Sequence, residues 1–181
     1  MNDDSVMKIL IKLFVTGVIV LLFTGMWALR QISIEGWLAS VTSPDVQPVV
    51  KAVGLIYIKN FADLGHYNRS ENLPPLQFVL NGCSDRFPSD GPCRQSFDWL
   101  LEMKEDINAT DSTKLGFTPI HNAVTECNPN AVEYLLEKNA NVAATGEKFR
   151  GQTPLKLLSL LKKCSSTLKI VELLKQKSGH E

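Results

Sequence analysis

"GFTPIHNAV", residues 116–124, is the stretch whose reading decides the fold. Thr118 followed by Pro119 has the form of a helix start. The threonine hydroxyl can cap the first turn, and proline is favoured at the first helical position, where its missing N–H costs nothing. Gly116 supplies the turn that leads in. The same start recurs 35 residues later in "GQTPLKLL", residues 151–158, with Thr153-Pro154. A second pair of windows keeps the same offset: "LLEMKEDINA" at 100–109 and "LLEKNANVAA" at 135–144. A fixed period of this size signals stacked supersecondary units, each burying its apolar face against the next.

Residues 116–144 resemble an ankyrin repeat. They carry Gly116, Thr118-Pro119-Ile120-His121 and Ala123, then Val132, Leu135-Leu136 and Asn139-Ala140-Asn141-Val142. A further unit at 151–177 keeps Thr153-Pro154-Leu155 and "IVELL" at 170–174. It has Lys156 where the family has histidine, and extra residues between its two helices. An earlier unit, 72–109, starts with the degenerate "PPLQFVLNG" at 74–82, with Pro74 and Gln77 as departures. The expected fold is therefore all-α, a short ankyrin solenoid of about three repeats over 72–177, with 178–181 as a tail. The resemblance gives His121 a structural role, its ring bonding the backbone of the neighbouring hairpin. Residues 30–71 form a linker and a helix, "VVKAVGLIYIKNFADLGHY", that covers the open end of the stack.

Four cysteines are present: Cys83, Cys93, Cys127 and Cys164. No CxxC pair is among them, so zinc is disfavoured. An even set in an exported domain points to two disulfides, whereas four free thiols would mark a cytosolic domain. Cys83 and Cys93 bracket an insertion, "CSDRFPSDGPC", which reads as a loop. Within the ankyrin resemblance, Cys127 and Cys164 each follow the first helix of a unit, so adjacent units set those corners side by side. The preferred pairing is 83–93 with 127–164; a 93–127 bridge also joins neighbouring corners and competes.

The N-terminus is different in kind. "LFVTGVIVLLFTGMWAL", residues 13–29, holds no charge, and the apolar stretch extends back past Lys12 to Ile9. At about 1.5 Å per residue this suffices for the roughly 30 Å hydrocarbon core of a bilayer. Its length, and the bulky Trp27 and Arg30 that follow, favour an uncleaved anchor over a cleaved signal peptide. Residues 1–8 then lie in the cytoplasm, 9–29 span the membrane, and the excess of Lys8 and Lys12 over Arg30 places the body outside. The expected location is the inner membrane, single-pass, with a periplasmic body.

Beyond residue 30 the chain carries 16 cations and 17 anions with no basic run, which argues against nucleic acid. No nucleophile elbow, zinc-protease helix or phosphate loop is found, so the expected chain is not an enzyme and needs no cofactor or metal. Asp85 and Asp90 lack the spacing of a calcium loop. The ankyrin resemblance implies a protein partner, bound by hairpin tips and by the concave face of the first helices. On this sequence the tip candidates are Asp111, Ser112, Lys114, Glu147, Lys148 and Arg150. The concave face adds Asn122, Glu126 and Lys156. The layout of anchor plus disulfide-bearing repeats is similar to that of ankyrin-type immunity proteins of type VI secretion, including those that neutralise lipase effectors. A scaffold subunit of an envelope complex, or a cytosol-facing adaptor, are the alternatives.

Overall fold

The computed structural model describes residues 16–18, 20, 24–25, 27–29, 32–62, 64, 67, 73–111, 115–146 and 151–178. Its elements are helices, in the order α1 (Ile34–Thr42), α2 (Pro48–Phe61), α3 (Pro75–Cys83), α4 (Gly91–Glu102), α5 (Pro119–Thr125), α6 (Pro129–Glu137), α7 (Pro154–Leu160) and α8 (Thr167–Ser178). The ends are written in the sequence. Helices α2 to α7 each have proline at the first or second position. Side-chain caps add Ser33, Asp90, Asn128 and Thr153, whose oxygens accept N–H groups of the first turns that proline leaves available. Thr118 caps α5 in a capping box with His121.

The helices stack in two rows. In the inner row α3 packs on α5 and α5 on α7, while α4, α6 and α8 each pair with the inner helix of their own unit. Three helix pairs thus form three repeats. Gly116 and Gly151, with φ of 69° and 62°, make the left-handed turns between units. The hairpins close by backbone bonds. The Asp111 N–H donates to Phe117 O at 2.8 Å, and the Gly146 N–H donates to Gln152 O at 3.1 Å. Among the described residues no strand longer than a single bridge, Gly146 with Gln152, is present.

One continuous core runs through the stack, with Leu76, Leu100, Ile120, Leu135, Leu158, Ile170 and Leu174 all buried. Burying each such side chain contributes about 1.5–3 kcal/mol before the entropy of ordering it is set against the gain.

At the N-terminal end two helices stand where the sequence reading expects one covering helix. Helix α1 packs on α3, and α2 packs on α4. The pair therefore occupies the place of a preceding repeat. The fit is close. A Cβ on Gly82 of α3 would lie 2.5 Å from Thr42 Oγ1 of α1, and one on Gly54 of α2 would lie 2.8 Å from Val41 Cγ2. The Arg86 guanidinium ties the joint by donating to the carbonyls of Thr42 and Gly82 and pairing with Asp90 at 2.7 Å. Thr42 O lies at the C-terminal end of α1, where helix carbonyls lack partners of their own.

The insertion at 83–93 differs from the expected loop. Ser84–Arg86 form a 3-10 turn, and Gly91-Pro92-Cys93 already belong to α4. The reason is Asp90, whose carboxylate accepts the Cys93 N–H at 3.2 Å and so starts the helix inside the bracketed segment. The turn delivers Phe87 into the core against Phe97 and Tyr134, with ring centroids at 5.1 and 5.2 Å. The Cys83 and Cys93 sulfurs are bonded, as are those of Cys127 and Cys164, and no cysteine is free.

Among the described residues no helix is long and apolar enough to cross a membrane. The expected span, 9–29, lies largely outside them; the residues of it that are described are helical and mostly exposed.

Candidate protein-interaction face

The inner row of helices and the hairpins leading into it form one polar face, held by a ladder of side chains between units. In unit two, His121 is fully buried and its Nε2 lies 3.0 Å from Gln152 O in the next hairpin. Its Nδ1 accepts the Thr118 N–H at 3.3 Å and sits 2.8 Å from the Thr118 hydroxyl. An accepting Nδ1 leaves the proton on Nε2, which donates to the carbonyl. Burial holds the His121 pKa below its ordinary value, against the opposing pull of the Gln152 carbonyl. Phe117 stacks on the ring at 5.2 Å.

In unit one the same position holds Gln77, and the same task is done by different chemistry. Its buried Nε2 donates to Ala109 O at 2.7 Å and Phe117 O at 2.6 Å in the following hairpin. Its Oε1 accepts from Asn122 Nδ2 at 2.9 Å. In unit three, Lys156 stands at this position and is exposed. Of the two departures in the sequence, Gln77 thus replaces the histidine in its task, whereas Lys156 leaves its side chain at the surface.

Between units one and two, Asn81, Asn122, Thr125 and Glu126 join Asp111 and Leu115 around a shallow groove of about 280 Å³. Glu126 is exposed and lies 3.4 Å from the Ser84 hydroxyl, which donates to it. Asn122 is half-buried and spends its amide on Gln77 and on Asn81, at 3.4 Å. This groove offers amide and carboxylate groups beside the apolar side chains of Leu73, Leu115 and Phe117. Such a surface suits hydrogen bonding to a protein.

The structure sorts the predicted contact residues. Asn122, Glu126 and Lys156 lie on the inner row, the last on the neighbouring helix α7. Asp111 is corrected: it is 4% exposed, closing the base of its hairpin with its backbone rather than displaying its carboxylate at the tip. Two ladder bonds fix its backbone, which draws the side chain inward. Ser112, Lys114, Glu147, Lys148 and Arg150 lie outside the described residues.

Sequence reasoning missed several ties. Asn128 caps α6 and also donates to Phe87 O at 2.8 Å and Ser84 O at 3.2 Å, binding unit two to the insertion of unit one. On the outer side, the Tyr134 hydroxyl donates to Asp98, which pairs with Lys138 at 2.9 Å. Burial would raise the Asp98 pKa, but bonds from Tyr134 and Lys138 and the charges of Lys138 and Arg94 bring it below the usual value. Burial and the Asp98 carboxylate push the Tyr134 hydroxyl well up. The period carried no sign of these contacts, although aligning "PPLQ" with "TPIH" does set Gln77 at the histidine position.

A family model described as Ankyrin repeats (3 copies) matches residues 89–181, just over half of the chain. The chain belongs to the ankyrin-repeat family. No curated protein and no solved structure matches it. The family match begins inside unit one, after its degenerate first helix, and covers the region where the ankyrin pattern is clearest. Ankyrin repeats are protein-binding modules, typically without enzymatic activity. The chain is accordingly a module for protein–protein interaction.

Proposed function

We propose that this ankyrin protein is an anchored, envelope-facing binder that neutralises a secreted protein toxin, as an immunity protein does. Its body faces the periplasm, residues 9–29 hold it to the inner membrane, and the inner face covers the toxin's active site or its docking surface. A lipase effector is a fitting target, because an anchored inhibitor is concentrated at the surface such an enzyme attacks. The observation that carries the reading is the pair of disulfides within the stack, Cys83–Cys93 and Cys127–Cys164, beside an open inner face of mixed polar and apolar groups. Disulfides persist in oxidising compartments and are rare in the cytosol. Ser112, Lys114, Glu147, Lys148 and Arg150, the tip positions that the ankyrin pattern implies, extend the binding surface.

The test places a photo-cross-linking side chain at Glu126, and separately at the exposed Leu168 of α8, in the full chain in living cells. A secreted enzyme captured from Glu126 and not from Leu168, which kills cells lacking the chain when delivered to the periplasm, supports the reading. The Glu126→Ala, Lys156→Ala double variant then weakens protection while changing stability by no more than about 0.5 kcal/mol, as surface substitutions do. Capture only at Leu168, or free thiols on protein taken from unreduced membranes, overturns it.

A further inference from the structure

The end of the stack built by α1 and α2 carries an apolar surface that no described element covers. Helix α2 buries Gly54 and Ile58, yet Val49, Val53 and Ile56 remain 64%, 37% and 59% exposed. Their spacing, four and then three, puts them on one stripe of the helix. Between α1 and α2 runs a groove of about 370 Å³ whose walls, including Leu29, Ile32, Trp37, Val49 and Val50, are almost wholly apolar. A terminal unit of a repeat stack ordinarily turns a polar face outward.

Two observations identify the occupant. The uncharged run of the sequence ends at Leu29, and Leu29 itself forms part of the groove wall. Whatever environment takes the run therefore adjoins this face. Helix α2, "PVVKAVGLIYIKNF", also carries no acidic residue, so nothing on it repels an anionic headgroup layer. Trp27 and Phe61, both exposed, add aromatic rings of the type that sit at the interface.

We propose that the α1–α2 end docks on the surface of a lipid bilayer, with the Val49–Val53–Ile56 stripe at the boundary between headgroups and acyl chains. This rests on the anchored reading above. The cap is then a membrane foot as well as the first layer of the stack. It sets the solenoid with its α1–α2 end toward the membrane and its later repeats away from it.

The experiment uses the full chain in vesicles of phosphatidylethanolamine and phosphatidylglycerol. A single added cysteine, Val18→Cys, Ile56→Cys or Leu168→Cys, carries an environment-sensitive fluorophore; the native cysteines are bonded and do not react. Expected are blue-shifted emission at positions 18 and 56, quenching at 56 by lipids brominated near the headgroup, and neither effect at 168. Position 18 in the bilayer with 56 reading like 168 overturns the docking and leaves the anchor standing. Quenching at 56 with position 18 in water keeps the docking and removes the anchor. Both in water overturn both. A blue shift at 56 that ignores brominated lipid and fades on dilution assigns the face to a second copy and overturns the proposal.

Discussion

Replacing His121 tests the ladder that joins the repeats. The ring is fully buried and links Thr118, at the start of its own helix, to Gln152 in the next hairpin. His121→Ala deletes two buried hydrogen bonds, each a net gain of about 1 kcal/mol, and leaves the Thr118 N–H without its ring acceptor, at a cost of about 1–3 kcal/mol. Gln152 O keeps the Gly146 N–H, so its loss is the smaller one. With the cavity beside Phe117, the sum is about 3–5 kcal/mol. His121→Gln is the informative control. Gln77 already makes the inter-unit bond with an amide in unit one, so this variant should lose only about 1–2 kcal/mol, the part belonging to the Thr118 contact. The assay is urea unfolding of the full chain in mild detergent with the disulfides intact, followed by circular dichroism. Equal losses for alanine and glutamine would refute the inter-unit bond as the source of stability, as would a loss below about 1 kcal/mol for alanine. The pH dependence is a second readout. Burial holds the folded-state pKa of His121 below the ordinary 6.5, so the folded protein binds fewer protons than the unfolded chain. The stability that neutral His121 contributes is present above that value and is lost as pH falls below it. Wild type should therefore weaken more than His121→Ala on acidification through this window.

Further predictions concern the staples and the cap. Cys127→Ser with Cys164→Ser opens a cross-link spanning 37 residues, and the loop-closure account expects a loss of about 4 kcal/mol. Urea midpoints should match those of the wild type with that bond alone reduced; an unchanged midpoint refutes the account. Gly82→Ala drives a methyl into Thr42 and should cost about 1–3 kcal/mol, whereas Gly91→Ala, with nothing within 4 Å, should be close to neutral. Thermal melts that rank the two equally would show that α1 does not press on α3 as described.

Much of the fold could be read from particular residues. Thr118, Pro119 and Gly116, repeated as Thr153, Pro154 and Gly151, announce helix starts and left-handed turns because each rests on local chemistry: a short hydroxyl, a locked φ, a missing Cβ. The all-helical repeat follows from that period; the ankyrin resemblance set Cys127 and Cys164 at neighbouring corners but left a 93–127 bridge competing, and the structure joins Cys127 to Cys164. The candidate face was legible only in outline. Asn122, Glu126 and Lys156 fall on the inner row as the family pattern implies, but Asp111 does not reach the tip, because hairpin closure is a contact across the turn.

What the sequence determined by itself was the unit and its spacing, since both come from interactions within a few residues of chain. Only the tertiary structure decided how the units are fastened and where the stack ends. Gln77 reaching Phe117, Asn128 reaching Phe87 and Arg86 reaching Thr42 each join residues about forty positions apart. The helix pair α1–α2 has no repeat signature, yet it takes a repeat's place because the apolar face of unit one has to be covered. Such ties depend on which side chains meet after stacking, and a period of 35 residues fixes the layers without naming those meetings.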